Sequence, residues 1–108
     1  MSEGHAKLRS ELRRGASVLA VLALLRQEHY GYSLRKALAN AGIGVEEGTL
    51  YPLIRRLETQ GLLASEWREE NKRNKRFYRL SETGKAALLA LQEDWKTLNA
   101  GVDLLLKT

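Results

Sequence analysis

The sequence predicts a mainly α fold with one small β-hairpin, arranged as one compact unit. Apolar residues recur at helical spacing up to about residue 60, alternate as in a strand between residues 63 and 80, and return to helical spacing after residue 81. With 108 residues, of which 44% are hydrophobic, the chain can bury one modest core.

Two helices are predicted before residue 42. The first spans about residues 8–27, and we expect it to be largely buried because its apolar residues cover more than one face: Leu12, Val18, Leu19, Leu22 and Leu25. The second spans about residues 33–40, with a buried face formed by Leu34, Ala37, Leu38 and Ala41. Gly42 is expected to end it.

The third predicted helix, which begins near Glu46 and ends at Gly61, has an apolar face and a basic face. Its apolar stripe consists of Leu50, Leu53, Ile54 and Leu57. The other side and its flanks carry Thr49, Tyr51, Arg55 and Arg56, which can donate hydrogen bonds to phosphates and base edges. Pro52 inside this helix costs up to about 3 kcal/mol, and sites that break a local rule are often functional. We interpret the helix as one that reads DNA; the alternative is a solvated face that happens to be basic.

A polar hairpin follows the third helix. Residues 63–70 and 76–80 have strand character, and residues 70–75 are expected to form its tip. Residues 72–79 hold five cations and no acid. Three helices, the last two joined by a tight glycine-bearing turn, followed by a basic hairpin, indicate a winged helix-turn-helix in which the hairpin is the wing.

The last predicted helix, capped by Ser81, carries an apolar seam whose members are alternately three and four residues apart. The seam consists of Leu88, Leu91, Trp95, Leu98, Val102 and Leu105. The core is complete before Ser81, so the seam needs another surface, either the first helix of its own chain or a second subunit. We favour a second subunit, because two-fold symmetry matches palindromic DNA sites. Residues 1–80 are then a DNA-binding domain and residues 81–108 a dimerisation helix.

Composition narrows the classes of function. The chain has 18 Lys and Arg against 13 Asp and Glu, a net charge of +5 that favours a nucleic-acid partner. It has no cysteine, which excludes disulfides and thiolate metal sites and fits a reducing cytoplasm. The longest apolar stretch, residues 16–25, is far shorter than the roughly 20 residues of a membrane helix. We therefore expect a cytoplasmic protein without a membrane partner.

The residues give no support for an enzyme, so we expect no catalytic site, metal or cofactor. His5 lies in the N-terminal segment and His29 at a helix end, so the two form neither a facial metal site nor a base for a nucleophile, and we expect both to be exposed. The glycines of residues 42–48 lack the spacing of a dinucleotide loop. The alternative to a DNA-binding protein is a protein-interaction module whose basic wing is incidental.

Five motifs, taken together, resemble the PadR family of transcriptional regulators, and in particular its small subfamily with a single C-terminal helix. They cover most of the chain: Leu12-Arg13-Arg14-Gly15, Tyr30-Gly31-Tyr32-Ser33-Leu34, Gly48-Thr49-Leu50-Tyr51-Pro52, Arg56-Leu57-Glu58 with Gly61-Leu62, and Tyr78-Arg79-Leu80-Ser81-Glu82-Thr83-Gly84. The resemblance implies a homodimeric, ligand-responsive repressor that binds double-stranded DNA at a palindromic operator.

The resemblance also implies which residues act. The DNA-contacting positions match Thr49, Tyr51 and Arg55 in the third helix, Lys72, Arg73, Lys75 and Arg76 in the wing, and Arg35 and Lys36 in the second helix. Effectors of the family are often planar aromatic compounds, which can stack at the dimer centre on a tryptophan of the last helix. Trp95 matches that position, with Asn99 and Val18 as further candidates. Plain interface packing explains Trp95 equally well.

Overall fold

A computed structural model of the chain describes residues 3–108, and in this range it contains four helices and one three-stranded antiparallel sheet. The helices are α1 (Glu3–Leu24), α2 (Gly31–Asn40), α3 (Glu47–Thr59) and α4 (Glu82–Lys107). The strands are β1 (His29–Tyr30), β2 (Leu63–Glu70) and β3 (Arg73–Leu80). This order confirms the predicted winged helix-turn-helix followed by one long helix.

The core lies where α1, α2 and α3 meet the sheet. Leu34 and Leu38 of α2 are fully buried, and the four predicted apolar residues of α3, three leucines and one isoleucine, are buried as well. Ala41 was expected on the buried face of α2, but it is exposed because the helix ends at Asn40 and Ala41 is its cap. The apolar face of α3 is therefore predicted correctly throughout, and that of α2 is predicted correctly except at Ala41.

Helix α1 begins earlier than predicted, and its N-terminal half is exposed. Val21, Leu22 and Leu25 are fully buried near its end, whereas Leu12 is 81% exposed and Leu8 is exposed too. The expectation that this helix is largely buried is wrong for that half, because it extends beyond the core of its own chain. The apolar side chains at both Leu8 and Leu12 are therefore available to another surface.

Strand β1 has no counterpart in the sequence-based prediction. His29 pairs with Tyr78 and Tyr30 with Phe77, which gives the strand order β1-β3-β2. Two residues are too few to show an alternating pattern. Because this pairing draws it to the sheet, His29 is half-buried rather than exposed, and its Nδ1 lies 3.0 Å from the Ser33 hydroxyl.

Glycines end α2 and α3 in the same way. Gly42 and Gly61 both have a φ of +80°, in the left-handed region that favours glycine. The following residues donate their amides back into the helices, from Ile43 to the Leu38 carbonyl and from Leu62 to that of Leu57, each at 2.9 Å. The first of these turns sets α3 across α2 in the helix-turn-helix.

The tip of the wing is shorter than predicted. Asn71 and Lys72, with φ values of 52° and 64°, form a two-residue turn between β2 and β3. Strand β3 consequently starts at Arg73, and Lys75, which was expected in the tip, lies within the strand.

Helix α4 leaves the core soon after it begins. The Ser81 hydroxyl accepts a hydrogen bond from the Gly84 amide at 3.0 Å, as the predicted cap requires. Leu88 is 6% exposed and packs in the core, whereas the seam beyond it is exposed. The helix continues through Gly101 without interruption. None of the helices described for residues 3–108 combines the length and apolar character that crossing a bilayer demands.

Candidate nucleic-acid interface

Helix α3 presents an exposed outer stripe between two flanks that contact other elements. Gly48, Pro52, Arg55 and Thr59 are exposed along the stripe. On one flank Arg56 faces a groove shared with α1. On the other flank Glu58 bonds to the wing. The surface predicted to read DNA is therefore accessible along the whole helix.

Tyr51 is held against the start of α2. A β-carbon on Gly31 would lie only 2.5 Å from the Tyr51 hydroxyl oxygen, so the phenol ring rests directly on the Gly31 backbone. Tyr51 nevertheless keeps about a third of its surface exposed. The predicted DNA contact thus has a fixed orientation, and the glycine between Tyr30 and Tyr32 makes room for it.

Pro52 is accommodated without ending α3. Proline has no backbone N–H, so Pro52 cannot donate a hydrogen bond to the carbonyl of Gly48, four residues earlier. Gly48 is exposed, and water can satisfy that carbonyl. The first turn is held instead by the amides of Thr49 and Leu50, which both donate to the Glu46 carbonyl at 2.9 and 2.8 Å.

Acidic neighbours divide the predicted cations of α2 and α3 into paired and unpaired groups. Arg35 Nη1 lies 3.2 Å from the carboxylate of Glu47. Lys36 and Arg55 are exposed, and neither is in an ion pair within residues 3–108. Lys36 and Arg55 are therefore the more available partners for phosphates and bases.

The wing shows the same division. Lys72 and Arg73 are exposed at the tip. Lys75, in contrast, lies 3.2 Å from a Glu70 oxygen and 4.4 Å from the centre of the Tyr30 ring, and its side chain is only 19% exposed. The ammonium group of Lys75 is therefore engaged by Glu70 and Tyr30 of its own chain rather than directed to the DNA surface where it was predicted.

Arg76 is also directed into its own chain. Its Nη2 lies 2.9 and 3.2 Å from the two carboxylate oxygens of Glu58, and its Nε donates to the Ser65 hydroxyl at 3.0 Å. The guanidinium centre is 5.6 Å from the rings of both Trp67 and Tyr78. The predicted role of Arg76 as a wing contact to DNA therefore conflicts with its hydrogen bonds to α3 and β2.

Tyr78 lies at the centre of these side chains. Burial raises the pKa of its phenol above the ordinary value of 10, and the nearby charges of Arg76 and Arg55 oppose that rise while Glu58 and Tyr51 add to it. Residues of α3 (Tyr51, Arg55 and Glu58) and Arg76 of the wing therefore all act on the pKa of the Tyr78 phenol.

A groove of about 670 Å³, for which the sequence carries no signal, separates α1 from the start of α3. Arg13, Arg14 and Arg56 line it over an apolar floor that includes Val18 and Leu53. The adjacent arginines of α1 were visible in the sequence, but the surface they share with α3 depends on how the helices cross. Val18, a candidate for the effector site, lines this groove, whereas Trp95 does not.

The seam of α4 is an extended exposed apolar surface. Leu91, Trp95, Leu98, Val102 and Leu105 are exposed along it, and Asn99 is exposed beside it. Leu88, predicted as part of the interface, is enclosed by its own chain. No cluster of three or more His, Asp or Glu residues within residues 3–108 is placed to hold a metal ion.

Comparison with known proteins gives matches along most of the chain. The profile described as the transcriptional regulator PadR-like family matches residues 18–90. The chain is 42% identical over 79 residues to the transcriptional regulator Rv3488 of Mycobacterium tuberculosis, which covers 72% of this chain and 74% of the relative. It is 29% identical over 105 residues to an uncharacterized protein X of Lysinibacillus sphaericus, covering 93% of this chain and 96% of that protein.

Solved structures of similar fold include two regulators. A PadR family transcriptional regulator from Eggerthella lenta superposes with a TM-score of 0.88 at 47% identity, covering 95% of this chain and 92% of that one. A PadR-like transcriptional regulator from Bacillus cereus superposes with a TM-score of 0.82 at 25% identity, covering 91% and 98%.

Proposed function

The chain belongs to the PadR-like family of transcriptional regulators, and on that premise we propose that it is a homodimeric, ligand-responsive repressor of a palindromic operator. Membership of the family makes it a DNA-binding regulator of transcription rather than an enzyme.

The observation that carries the proposal is the exposed stripe of α3 beside an exposed basic wing tip. Arg55 is unpaired among the described residues and can form two hydrogen bonds to a guanine edge. Lys72 and Arg73 at the tip, with Lys36 on α2, are suited to phosphates. Thr49 and Tyr51 complete the proposed contacts of α3. Arg35 is less available for DNA because it is already in an ion pair with Glu47.

A second copy of the chain is the proposed partner of the α4 seam. Five exposed apolar side chains in one line form a surface that soluble monomers rarely leave uncovered. The exposed Leu8 and Leu12 of α1 provide a further apolar surface that the partner would cover. Two-fold symmetry through α4 would present two α3 helices to successive major grooves, about 34 Å apart.

The proposed effector is a planar aromatic compound at the dimer centre. Trp95 is 44% exposed on the seam, so in a symmetric dimer its ring can meet its counterpart or a ligand between the two. Asn99, one turn further along, can supply a polar contact. Val18 is left out of this site because it lines the α1–α3 groove.

The test is to select DNA from a random 30-base-pair library with the purified protein and to sequence what it retains. We expect an enriched inverted repeat whose half-sites are about 10 base pairs apart, and a steep fall in affinity for any duplex as salt rises. A reporter gene behind that repeat should be silenced when the protein is expressed. No enriched sequence together with a shallow salt slope would favour the protein-interaction module instead.

A further inference from the structure

One cluster of three polar side chains, Glu58, Ser65 and Arg76, joins α3 to the wing. Arg76 donates to both carboxylate oxygens of Glu58 and to the Ser65 hydroxyl, while that hydroxyl donates to Glu58. Each member therefore bonds to the other two. The Arg76 and Glu58 side chains are 37% and 26% exposed, so salt screens this pair less than a fully solvated one.

The geometry of the cluster depends on the planar guanidinium. Its Nη2 donates to the carboxylate of Glu58 and its Nε to the hydroxyl of Ser65, so two adjacent nitrogens bond in directions that the plane fixes. The guanidinium centre also lies 5.6 Å from the centres of the Trp67 and Tyr78 rings, within cation–π range of both. A lysine at this position would keep the charge but could not donate to the carboxylate and the hydroxyl from two coplanar nitrogens.

The outer part of the wing has no buried apolar contacts. The buried apolar residues of the wing all lie in the half next to the core, and they are Leu63, Phe77, Tyr78 and Leu80. On the opposite face from Arg76, Arg68 pairs with Glu28 in the turn after α1 and lies 4.0 Å above the Phe77 ring. The orientation of the wing is therefore fixed by polar contacts on each face, and the Arg76 side is the one attached to α3.

We propose that Arg76 is a positioning residue for DNA binding: with Glu58 and Ser65 it sets the angle between α3 and the wing. At that angle Lys72 and Arg73 reach the DNA backbone while α3 occupies the major groove, so the two sets of contacts form together. This inference rests on the proposed function. Binding to a random duplex needs only positive charge and does not depend on the angle.

The decisive variant is Glu58→Gln, because two explanations predict opposite signs. Removing an acid next to DNA should strengthen binding to every duplex if charge alone matters. The positioning role predicts instead about tenfold weaker binding to the duplex selected from the library, and no weakening on a random 30-base-pair duplex. Glu82→Gln, which removes the same charge from an ion pair at the start of α4, is the matched control and should not weaken either complex.

Variants of Arg76 complete the test. Arg76→Lys keeps the charge and should lose the same tenfold on the selected duplex, with its salt slope on the random duplex unchanged. The charge-exchanged double variant, Glu58→Arg with Arg76→Glu, should recover most of the loss. A direct phosphate contact would behave differently, since Arg76→Gln would then weaken both duplexes equally and lower the salt slope by about one. That result, or tighter binding by Glu58→Gln, would overturn the proposal.

A measurement without DNA separates this proposal from the proposed function. The Arg76 guanidinium centre lies 5.6 Å from the centre of the Trp67 ring, so in a Trp95→Phe background the emission and anisotropy of Trp67 report whether Arg76 and the wing are held. Thermal unfolding first establishes that each variant is folded. Glu58→Gln should shift the Trp67 signal while Glu82→Gln leaves it unchanged. An unchanged signal in Glu58→Gln overturns the positioning role even if the library yields a clear operator, and a shifted signal supports it even if the library yields none.

Discussion

Gly84 packs directly on the carbonyl oxygen of Leu62, so closely that a β-carbon at Gly84 would overlap that oxygen. Ser81 strengthens the same junction, since its amide donates to the Leu62 carbonyl at 3.0 Å and its hydroxyl to that of Gly61 at 2.6 Å. The start of α4 is thereby fixed to the turn that ends α3. This junction transmits the direction of the seam helix to the helix proposed to read DNA.

Gly84→Ala should therefore destabilise the fold. The added methyl group meets backbone, which cannot move aside as a side chain can, and overpacking of this kind costs about 1 to 3 kcal/mol. Gly101→Ala on the same helix is the control, because within residues 3–108 no atom outside its chain neighbours and the adjacent backbone of its own helix lies within 4 Å of its would-be β-carbon. It should stabilise α4 by roughly 0.5 to 1 kcal/mol. Urea unfolding at matched protein concentrations compares the two free energies, and a similar loss at both positions would contradict the open surroundings of Gly101.

Leu98→Asp should separate the proposed dimer. Leu98 lies on the seam, and enclosing an unpaired carboxylate in an apolar interface is costly. Leu89 is as exposed as Leu98, at 66% each, but lies off the seam, so Leu89→Asp is a matched control that should leave the dimer intact. Light scattering at micromolar concentration reads the mass of each. A wild-type monomer under those conditions, or equal dissociation by both variants, would refute the seam as the interface.

The features that the sequence predicted are those with a local signal. The apolar stripe of α3, the glycines after α2 and α3 and the Ser81 cap each depend on a few neighbouring residues, and each was found where predicted. Strand β1 was not, because its two residues become a strand only through pairing with β3.

In the candidate site, too, the sequence does not predict side-chain contacts that depend on how distant residues pack. All four wing cations have the same local signal, yet Lys75 and Arg76 bind Glu70 and Glu58 while Lys72 and Arg73 extend from the tip. Only the register of the hairpin and its position beside α3 distinguish them. The α1 arginines at the groove were missed for the corresponding reason, since the groove exists only once two helices pack.

Arg55→Ala should weaken binding to the selected duplex by about 1 to 3 kcal/mol if its contact to a base is bidentate, and should affect a random duplex much less. Lys72→Ala or Arg73→Ala should instead weaken both duplexes alike and flatten the salt slope. Lys85→Ala, which removes a cation paired with Glu82 at the start of α4, serves as the control for net charge. Titrations at several salt concentrations separate these patterns, and equal losses on both duplexes for all three variants would refute the division between base and phosphate contacts.

Trp95→Leu should abolish the response to a planar aromatic effector while preserving the dimer, because leucine packs well on an apolar seam but offers no ring for stacking. A ligand between the two Trp95 rings would fix the angle between the α4 helices, and through the junction at Gly84 the separation of the two α3 helices. Ligand and operator should then oppose each other. Linkage makes this reciprocal: a ligand that weakens DNA binding tenfold must itself bind the DNA complex tenfold more weakly, about 1.4 kcal/mol.

The measurement is a titration of planar dyes and drugs into wild type and Trp95→Leu, each free and bound to the selected duplex. Trp67, which lies on the wing, provides an internal fluorescence reference that a ligand at the seam should leave unquenched. Coupling between ligand and DNA requires that the ligand stacks at the seam and also changes the angle of the α4 helices. The titrations distinguish these two requirements. A ligand that quenches Trp95 without affecting DNA binding occupies the seam but does not move α4. Binding that persists unchanged in Trp95→Leu would reduce Trp95 to a packing residue and place any effector elsewhere.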